Sequence, residues 1–218
     1  MKKSLFALAL SFGTLCVATT AGAQLGRQQG LIEPNVASDS ALLAVPGVND
    51  ALVGALKAAR PILSVTSLDS LLSSKSLSKT QRSDMYKRVF VHVDLNRGTD
   101  AELMLIPGMD NKRLAAIKTG RPWKSFESFT TEMAKAMPTA EVARTEQYLF
   151  IPVELNTFTE AIMDSFASIG VGTRQWKREF AEYRPWTSME QFDREIGKYV
   201  RSRPTEVKRL ARYVIIAK

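Results

Sequence analysis

Three glycine-containing turns, each with basic side chains beyond it, are the groups in this 218-residue sequence best suited to chemistry. Glycine tolerates a positive φ angle and allows close approach to the backbone, and the N–H groups of a following helix N-terminus can hold a phosphate. Lysine and arginine add charge-assisted hydrogen bonds to the same anion. We therefore predict phosphate binding at these turns; the alternative, which is favoured for the first two, is that each turn is only a structural corner between helices. The candidate residues are Gly170, Val171, Gly172, Thr173, Arg174 and Lys177 in the last turn, Gly108, Lys112 and Arg113 in the middle turn, and Gly47 in the first turn.

Catalysis and metal binding are not expected from the remaining side chains. Cys16 is the only cysteine and His92 the only histidine. Because Cys16 lies within the first 23 residues, the rest of the sequence has no Cys-His pair, and a single histidine cannot form a His/Cys ligand set for a metal. A Ser-His pair typical of nucleophilic catalysis is not indicated either. It also lacks a glycine-rich phosphate loop after a long strand. We predict a non-catalytic protein with no cofactor and no metal.

The middle turn is flanked by two short helices in the sequence pattern. The first begins at Thr99, where Glu102 three residues later completes a capping box, and it ends at the breaker Pro107-Gly108. The second is a short amphipathic helix from Asn111 to Thr119. Two short helices joined by a tight turn predict a helix-hairpin-helix.

Three markers recur along the chain with one period of about 61 residues, which is typical of tandem structural repeats. Consecutive Asn markers are 61 and 60 residues apart, Arg-Pro pairs 61 and 63, and Tyr markers 62 and 65. We predict a mainly α fold of three tandem helix-hairpin-helix units at residues 31 to 92, 93 to 152 and 153 to 218. The markers are Asn35, Asn96 and Asn156; Arg60-Pro61, Arg121-Pro122 and Arg184-Pro185; and Tyr86, Tyr148 and Tyr213.

Each unit ends in a β-branched and aromatic run that predicts a short strand. The runs cover Val89 to Val91, Tyr148 to Ile151 and Tyr213 to Ile216. Because each run leads directly into the next unit, we expect the strands to link the units into one body.

The first 23 residues have the pattern of a secretory signal peptide. Two lysines precede an apolar run from Leu5 to Val17, and Ala21-Gly22-Ala23 supplies the small residues of a cleavage site. We predict a periplasmic or secreted protein that is not inserted in a membrane after signal removal. Residues 24 to 30 have little apolar content and predict a disordered leader. Loss of Lys2 and Lys3 leaves 28 basic against 22 acidic side chains, a net charge of +6.

The middle unit resembles the repeat of the ComEA family of competence proteins. The resemblance covers about 40 residues: D-L-N from Asp94, L-x-x-I-P-G from Leu103, a basic helix, and W-K-S-F-E-x-F from Trp123. It implies a SAM-like, ComEA-like helix-hairpin-helix fold. It also implies an extracytoplasmic protein of DNA uptake, which holds the backbone of double-stranded DNA without reading its sequence.

The three turns match that family unevenly. Asn49 and Asp110 stand where the family has its second glycine, and only Gly170-Val171-Gly172 keeps both. We expect Asn49 and Asp110 to adopt the left-handed conformation in place of glycine. The Asp110 carboxylate would repel a phosphate. Residues 24 to 92, 93 to 152 and 153 to 218 carry net charges of +3, 0 and +3, so the third turn is the strongest candidate for phosphate contact.

A structural or protein-interaction scaffold that has lost DNA binding remains open as a second hypothesis. The extrinsic PsbU-type subunits of photosystem II resemble this fold and act as scaffolds, and a fold does not fix a function. An unidentified protein would then be the partner. Trp123 and Trp186 occupy the same place in their units as Ile62. This interchange favours a role in the core over base stacking.

Overall fold

The computed structural model describes residues 23 to 27, 30 to 201 and 204 to 217, so most of the expected signal peptide lies outside the described residues. The described chain is mainly α-helical and contains twelve α-helices. We call residues 31 to 92, 93 to 152 and 153 to 217 the first, second and third segments. The first holds α1 (Asp39–Leu43), α2 (Asp50–Ala58), α3 (Val65–Ser74) and α4 (Lys79–Tyr86). The second holds α5 (Asp100–Leu103), α6 (Asn111–Thr119), α7 (Phe126–Met133) and α8 (Thr139–Glu146). The third holds α9 (Glu160–Asp164), α10 (Arg174–Glu182), α11 (Met189–Gly197) and α12 (Thr205–Ala211).

Side-chain caps set where most of these helices begin. The Thr99 hydroxyl accepts from the Glu102 N–H, and the Glu102 carboxylate accepts from the Thr99 N–H at 2.9 Å, which is the predicted capping box. The third helix of each segment begins after a serine whose hydroxyl accepts from an N–H three residues later. These serines are Ser64, Ser125 and Ser188.

One set of hydrogen bonds recurs around the three Asn and Arg-Pro markers. The Asn96 side-chain oxygen accepts from the Trp123 N–H at 2.6 Å, and its amide nitrogen donates to the Trp123 carbonyl at 2.8 Å. Asn35 binds Ile62 and Asn156 binds Trp186 in the same way.

The arginines of the three markers bind the same turns. Each arginine precedes a cis proline and donates to two carbonyls of the turn that begins its segment. For Arg121 the acceptors are the Leu95 and Gly98 carbonyls, at 2.8 and 2.9 Å. Burial lowers the pKa of all three guanidinium groups. In each segment the Asn and Arg side chains therefore join the Asn-containing turn that opens the segment to the residues just before the third helix.

Replacing Asn96 by alanine should lower the free energy of unfolding by about 2 kcal/mol, because two hydrogen bonds disappear and the Trp123 backbone groups are left without partners. Urea unfolding measures the change. Asn111→Ala is the matched control, since Asn111 is exposed at the start of α6, and it should stay within about 0.5 kcal/mol of the parent. Equal stability of the two variants would contradict this role.

The strands join the two ends of one segment, which differs from the predicted link between neighbouring units. In the second segment, β1 (Val93–Asp94) pairs in parallel with β2 (Leu149–Phe150). In the third, β3 (Val153–Glu154) pairs in parallel with β4 (Val214–Ile215). In the first, Ile32 and Val89 form a single parallel bridge. The sequence indicated the closing runs but not the short opening strands, because two residues carry little β signal.

Buried apolar side chains form two clusters. One extends through the first and second segments, from Leu42 to Ile151, and the other consists of third-segment residues together with Leu25 and Phe150. Trp123 and Trp186 are buried, and their indole N–H groups donate to the Ile117 and Phe180 carbonyls, as expected for core residues. No helix within the described residues is long and apolar enough to cross a membrane.

The leader is not disordered over residues 24 to 27. Leu25 is 3% exposed and forms an antiparallel bridge with Phe150. Low apolar content predicted disorder here, but one buried leucine and a few backbone hydrogen bonds hold residues 24 to 27 against the second segment.

Candidate nucleic-acid interface

A glycine takes the left-handed conformation in each of the three turns. Gly47, Gly108 and Gly170 have φ angles of +81°, +83° and +71°. The expectation of left-handed geometry at Asn49 and Asp110 is wrong. Both are extended, and their side chains cap α2 and α6. Each side-chain oxygen accepts a hydrogen bond from a backbone N–H in the first turn of its helix, at 2.9 Å for Asn49 and 2.8 Å for Asp110. The preceding glycine already reverses the chain, and Asn and Asp are favoured at helix N-caps.

The third turn is built differently from the other two. A 3₁₀ helix (Ala167–Ile169) precedes it, and its extra residues displace the cap of α10 to Thr173. The backbone N–H groups of Gly170, Val171 and Gly172 all donate to carbonyls of the preceding turn, at Phe166 or Ala167. These three N–H groups are therefore occupied within the chain.

Contacts from other parts of the chain also cover the third turn. Val171 and Gly172 are buried. The Arg209 guanidinium donates to the Ile169 carbonyl at 2.9 Å, and a methyl group of Val36, in the first segment, lies over Gly170. The turn with both glycines thus serves as a packing surface in this conformation, contrary to its ranking as the strongest phosphate candidate.

The basic residues of α10 differ in their freedom. Lys177 donates to Asp164 at 2.7 Å, a hydrogen bond that raises the pKa of the ammonium group. Arg174 is exposed, with no ion-pair partner among the described residues. Both line an open groove of about 950 Å³, but the Glu160 carboxylate stands in its wall. Arg174 and Lys177 are therefore together here with Arg178 and Arg184, which line the same groove, and with one opposing carboxylate.

The middle turn is open. Gly108 is exposed, and its N–H has no acceptor among the described residues. Arg113 does not face solvent freely, because its guanidinium donates to the Gly108 carbonyl and to Glu141. Lys112 is exposed and has no ion-pair partner in the described part of the chain. The middle turn therefore offers one backbone N–H and one free lysine.

The first turn is also open but carries fewer cations. Gly47 is exposed, and nothing lies within 4 Å of the position that a Cβ would take. The nearest basic residue in the following helix is Lys57, which pairs with Asp39 at 2.8 Å. The exposed Asp50 begins this helix. Its charge opposes an approaching phosphate.

A basic groove that the sequence did not indicate lies beside the middle turn. It has a volume of about 530 Å³ and is lined by Pro107 and Gly108 together with cations from α8 and from the end of the first segment. No carboxylate lines it. Arg88 and Arg144 are exposed, and Arg144 is 3.8 Å from its nearest carboxylate, Glu141. The full lining is Lys87, Arg88, Pro107, Gly108, Arg144, Gln147 and Tyr148.

The groove brings together three cations and the exposed, left-handed Gly108, and one of the cations, Lys87, is paired with Asp84 at 2.7 Å. An anion seated there would receive charge from at least two directions. Arginine can bind two oxygens of a phosphate at once. The arrangement therefore suits phosphate groups better than any other turn of the described chain.

Comparison with known proteins finds no family model, no curated protein and no solved structure that matches this chain.

Proposed function

We propose that this protein binds the phosphate backbone of double-stranded DNA without reading sequence, and that the basic groove beside the middle turn is the main contact. The observation that carries the proposal is the lining of that groove: Lys87, Arg88 and Arg144 beside exposed Gly108, with no carboxylate. Phosphate contacts supply most of sequence-independent affinity for DNA.

The proposal includes an organisation of three tandem helix-hairpin-helix units in a periplasmic or secreted protein. Four helices per segment and the threefold set of Asn and Arg hydrogen bonds support the tandem organisation. The likeness of the second segment to ComEA repeats supports the DNA partner, and the signal-like first 23 residues support export. The units differ in their turns, so we assign the phosphate contact to the turn of the second unit and to the groove beside it, which Lys87 and Arg88 of the first unit also line.

The double variant Arg88→Ala/Arg144→Ala should weaken binding to a labelled DNA duplex by about tenfold or more, and the weakening should not depend on sequence. Fluorescence anisotropy at several salt concentrations measures this. The slope of log affinity against log salt should fall by about 2, one for each phosphate that the variant no longer neutralises. A matched control is Lys75→Ala/Lys135→Ala, which removes the same charge from exposed sites outside the groove.

A second pair tests the alternative position in the third unit. Arg174→Ala/Lys177→Ala should weaken binding less than the groove variant, because Lys177 is already paired with Asp164 and the turn N–H groups are occupied. A larger loss of binding in Arg174→Ala/Lys177→Ala than in the groove variant would place the phosphate contact at α10 instead. A folded parent chain with no DNA binding at low salt would contradict the DNA proposal as a whole.

A protein-interaction scaffold is the second candidate, and two observations favour it. The third turn packs against Val36 and Arg209 of the same chain, so it acts as a surface for contact with protein groups rather than with phosphate. Leu43, the last residue of α1, and Met104, the residue after α5, lie at corresponding places in two segments and are both 42% exposed. Exposed apolar side chains near two open turns suit a protein partner. Alanine at both positions should leave DNA binding unchanged.

A further inference from the structure

The described N-terminal residues form an added strand on the second segment. The Gly26 N–H donates to the Leu149 carbonyl at 3.1 Å, and the Ile151 N–H donates to the Gln24 carbonyl at 2.8 Å. These bonds flank the antiparallel bridge between Leu25 and Phe150. The strand therefore lies along the edge of β2 that β1 leaves open.

The same strand also contacts the third segment. The N–H groups of Gln24 and Leu25 point to the Ser165 hydroxyl, at 3.3 and 3.4 Å. The Leu25 side chain belongs to the buried cluster of the third segment, where Phe150 is the other residue from outside that segment. Leu25 and Phe150 thus join the third segment's core to the strand run that ends the second segment.

The fit around Gly26 is close. A Cβ at this position would lie 1.8 Å from the Glu146 carbonyl oxygen, which is backbone and has little room to move. Only glycine allows the strand to pass at this depth. The following Arg27 is near Glu146, a buried carboxylate whose pKa is raised by burial, with the Arg27 charge and a hydrogen bond from Thr130 acting in the opposite direction.

We infer that residues 24 to 27 are a fastening strand that holds the third segment closed against the second. The first and second segments share one core, whereas the third has its own. The strand fills the junction between these two bodies, so we expect it to contribute mainly to the stability of the smaller one, the third segment. When it is displaced, the third segment should open locally while the other two remain folded. This inference is independent of DNA binding.

Two variants displace the strand in different ways. Gly26→Val places a side chain against the Glu146 carbonyl, and Leu25→Asp puts a charge into the apolar cluster. Their controls are Gly54→Ala, where nothing lies within 4 Å, and Leu43→Asp, whose side chain is 42% exposed. Hydrogen exchange followed by mass spectrometry resolves the segments in the intact chain, and exchange in the first two shows that the chain is folded.

Both strand variants should accelerate exchange in α9 to α12 by about tenfold or more, with little change in α1 to α6. Leu43→Asp should leave all three segments unchanged, and Gly54→Ala should not accelerate exchange in any of them. Equal acceleration in every segment would overturn the inference, since the third segment would then not open by itself. Unchanged exchange in the third segment would overturn it as well, since the strand would then fasten nothing.

Discussion

Replacing Gly172 by alanine should lower the free energy of unfolding by about 3 kcal/mol, one of the two largest effects that we expect in this chain. An alanine Cβ would lie 1.9 Å from the Met163 carbonyl oxygen and 2.7 Å from the Ala167 nitrogen. Both atoms are backbone, so the third turn must move away from α9 to admit a methyl group. Urea unfolding followed by tryptophan fluorescence measures the loss, because Trp176 and Trp186 lie in the same cluster.

Gly54→Ala is the matched control, since it adds the same methyl group inside α2 with nothing within 4 Å. Alanine is favoured over glycine in a helix, so this variant should gain up to about 1 kcal/mol. The opposite signs separate close packing from any general effect of alanine. If Gly172→Ala were as stable as the parent, the third turn would not be packed as described, and its glycine would be free for another role.

Helix boundaries were predictable because the signals that set them are local. The capping box at Thr99 and the helix Asn111–Thr119 both follow from residues within one turn of the boundary. Mainly α structure follows from the same signals. Parallel pairing of two-residue strands could not be predicted, because it depends on chain ends that meet only after the helices have packed.

The Asn and Arg-Pro markers showed a period, but their function was not visible in the sequence. Asn96 and Trp123 are hydrogen-bonded across 27 residues, and Asn156 and Trp186 across 30. A side chain that binds a distant backbone group leaves no local pattern beyond its own recurrence. The period therefore located these residues and did not show what they bind.

The candidate site was the least predictable part. A Gly-x-Gly pattern shows that small residues are needed but not why. Gly170 has the positive φ, whereas Gly172 is needed because the chain's own backbone lies against it. The groove was invisible for another reason: Arg88 and Arg144 belong to different segments and meet only at the middle turn.

Replacing Arg209 by methionine should lower the free energy of unfolding by about 3 to 5 kcal/mol, the range for removal of one partner of a buried ion pair. Arg209 is 2% exposed, and it donates to the Ile169 carbonyl and to the Glu206 carboxylate at 2.9 and 2.7 Å. Burial by itself would lower the pKa of Arg209, but the bonds to Glu206 raise it above the ordinary value. The guanidinium therefore remains charged inside the protein.

Methionine preserves most of the apolar stem of Arg209 while removing its donors, so the destabilisation should come from unpaired groups rather than from a cavity. Lys208→Met is the matched control: it changes the neighbouring, exposed residue of α12 and should stay within about 0.5 kcal/mol of the parent. Urea unfolding of both variants gives the comparison.

The double variant Arg209→Met/Glu206→Met separates the ion pair from the contact with the third turn. Removing both charges should recover part of the stability, since the half-buried Glu206 carboxylate is then no longer left without a partner. The part of the unfolding free energy that is not recovered reflects the Ile169 carbonyl, which still lacks its hydrogen-bond donor. Complete recovery would mean that Arg209 only neutralises Glu206, and that the third turn holds its packed position through Val36 and its own hydrogen bonds alone.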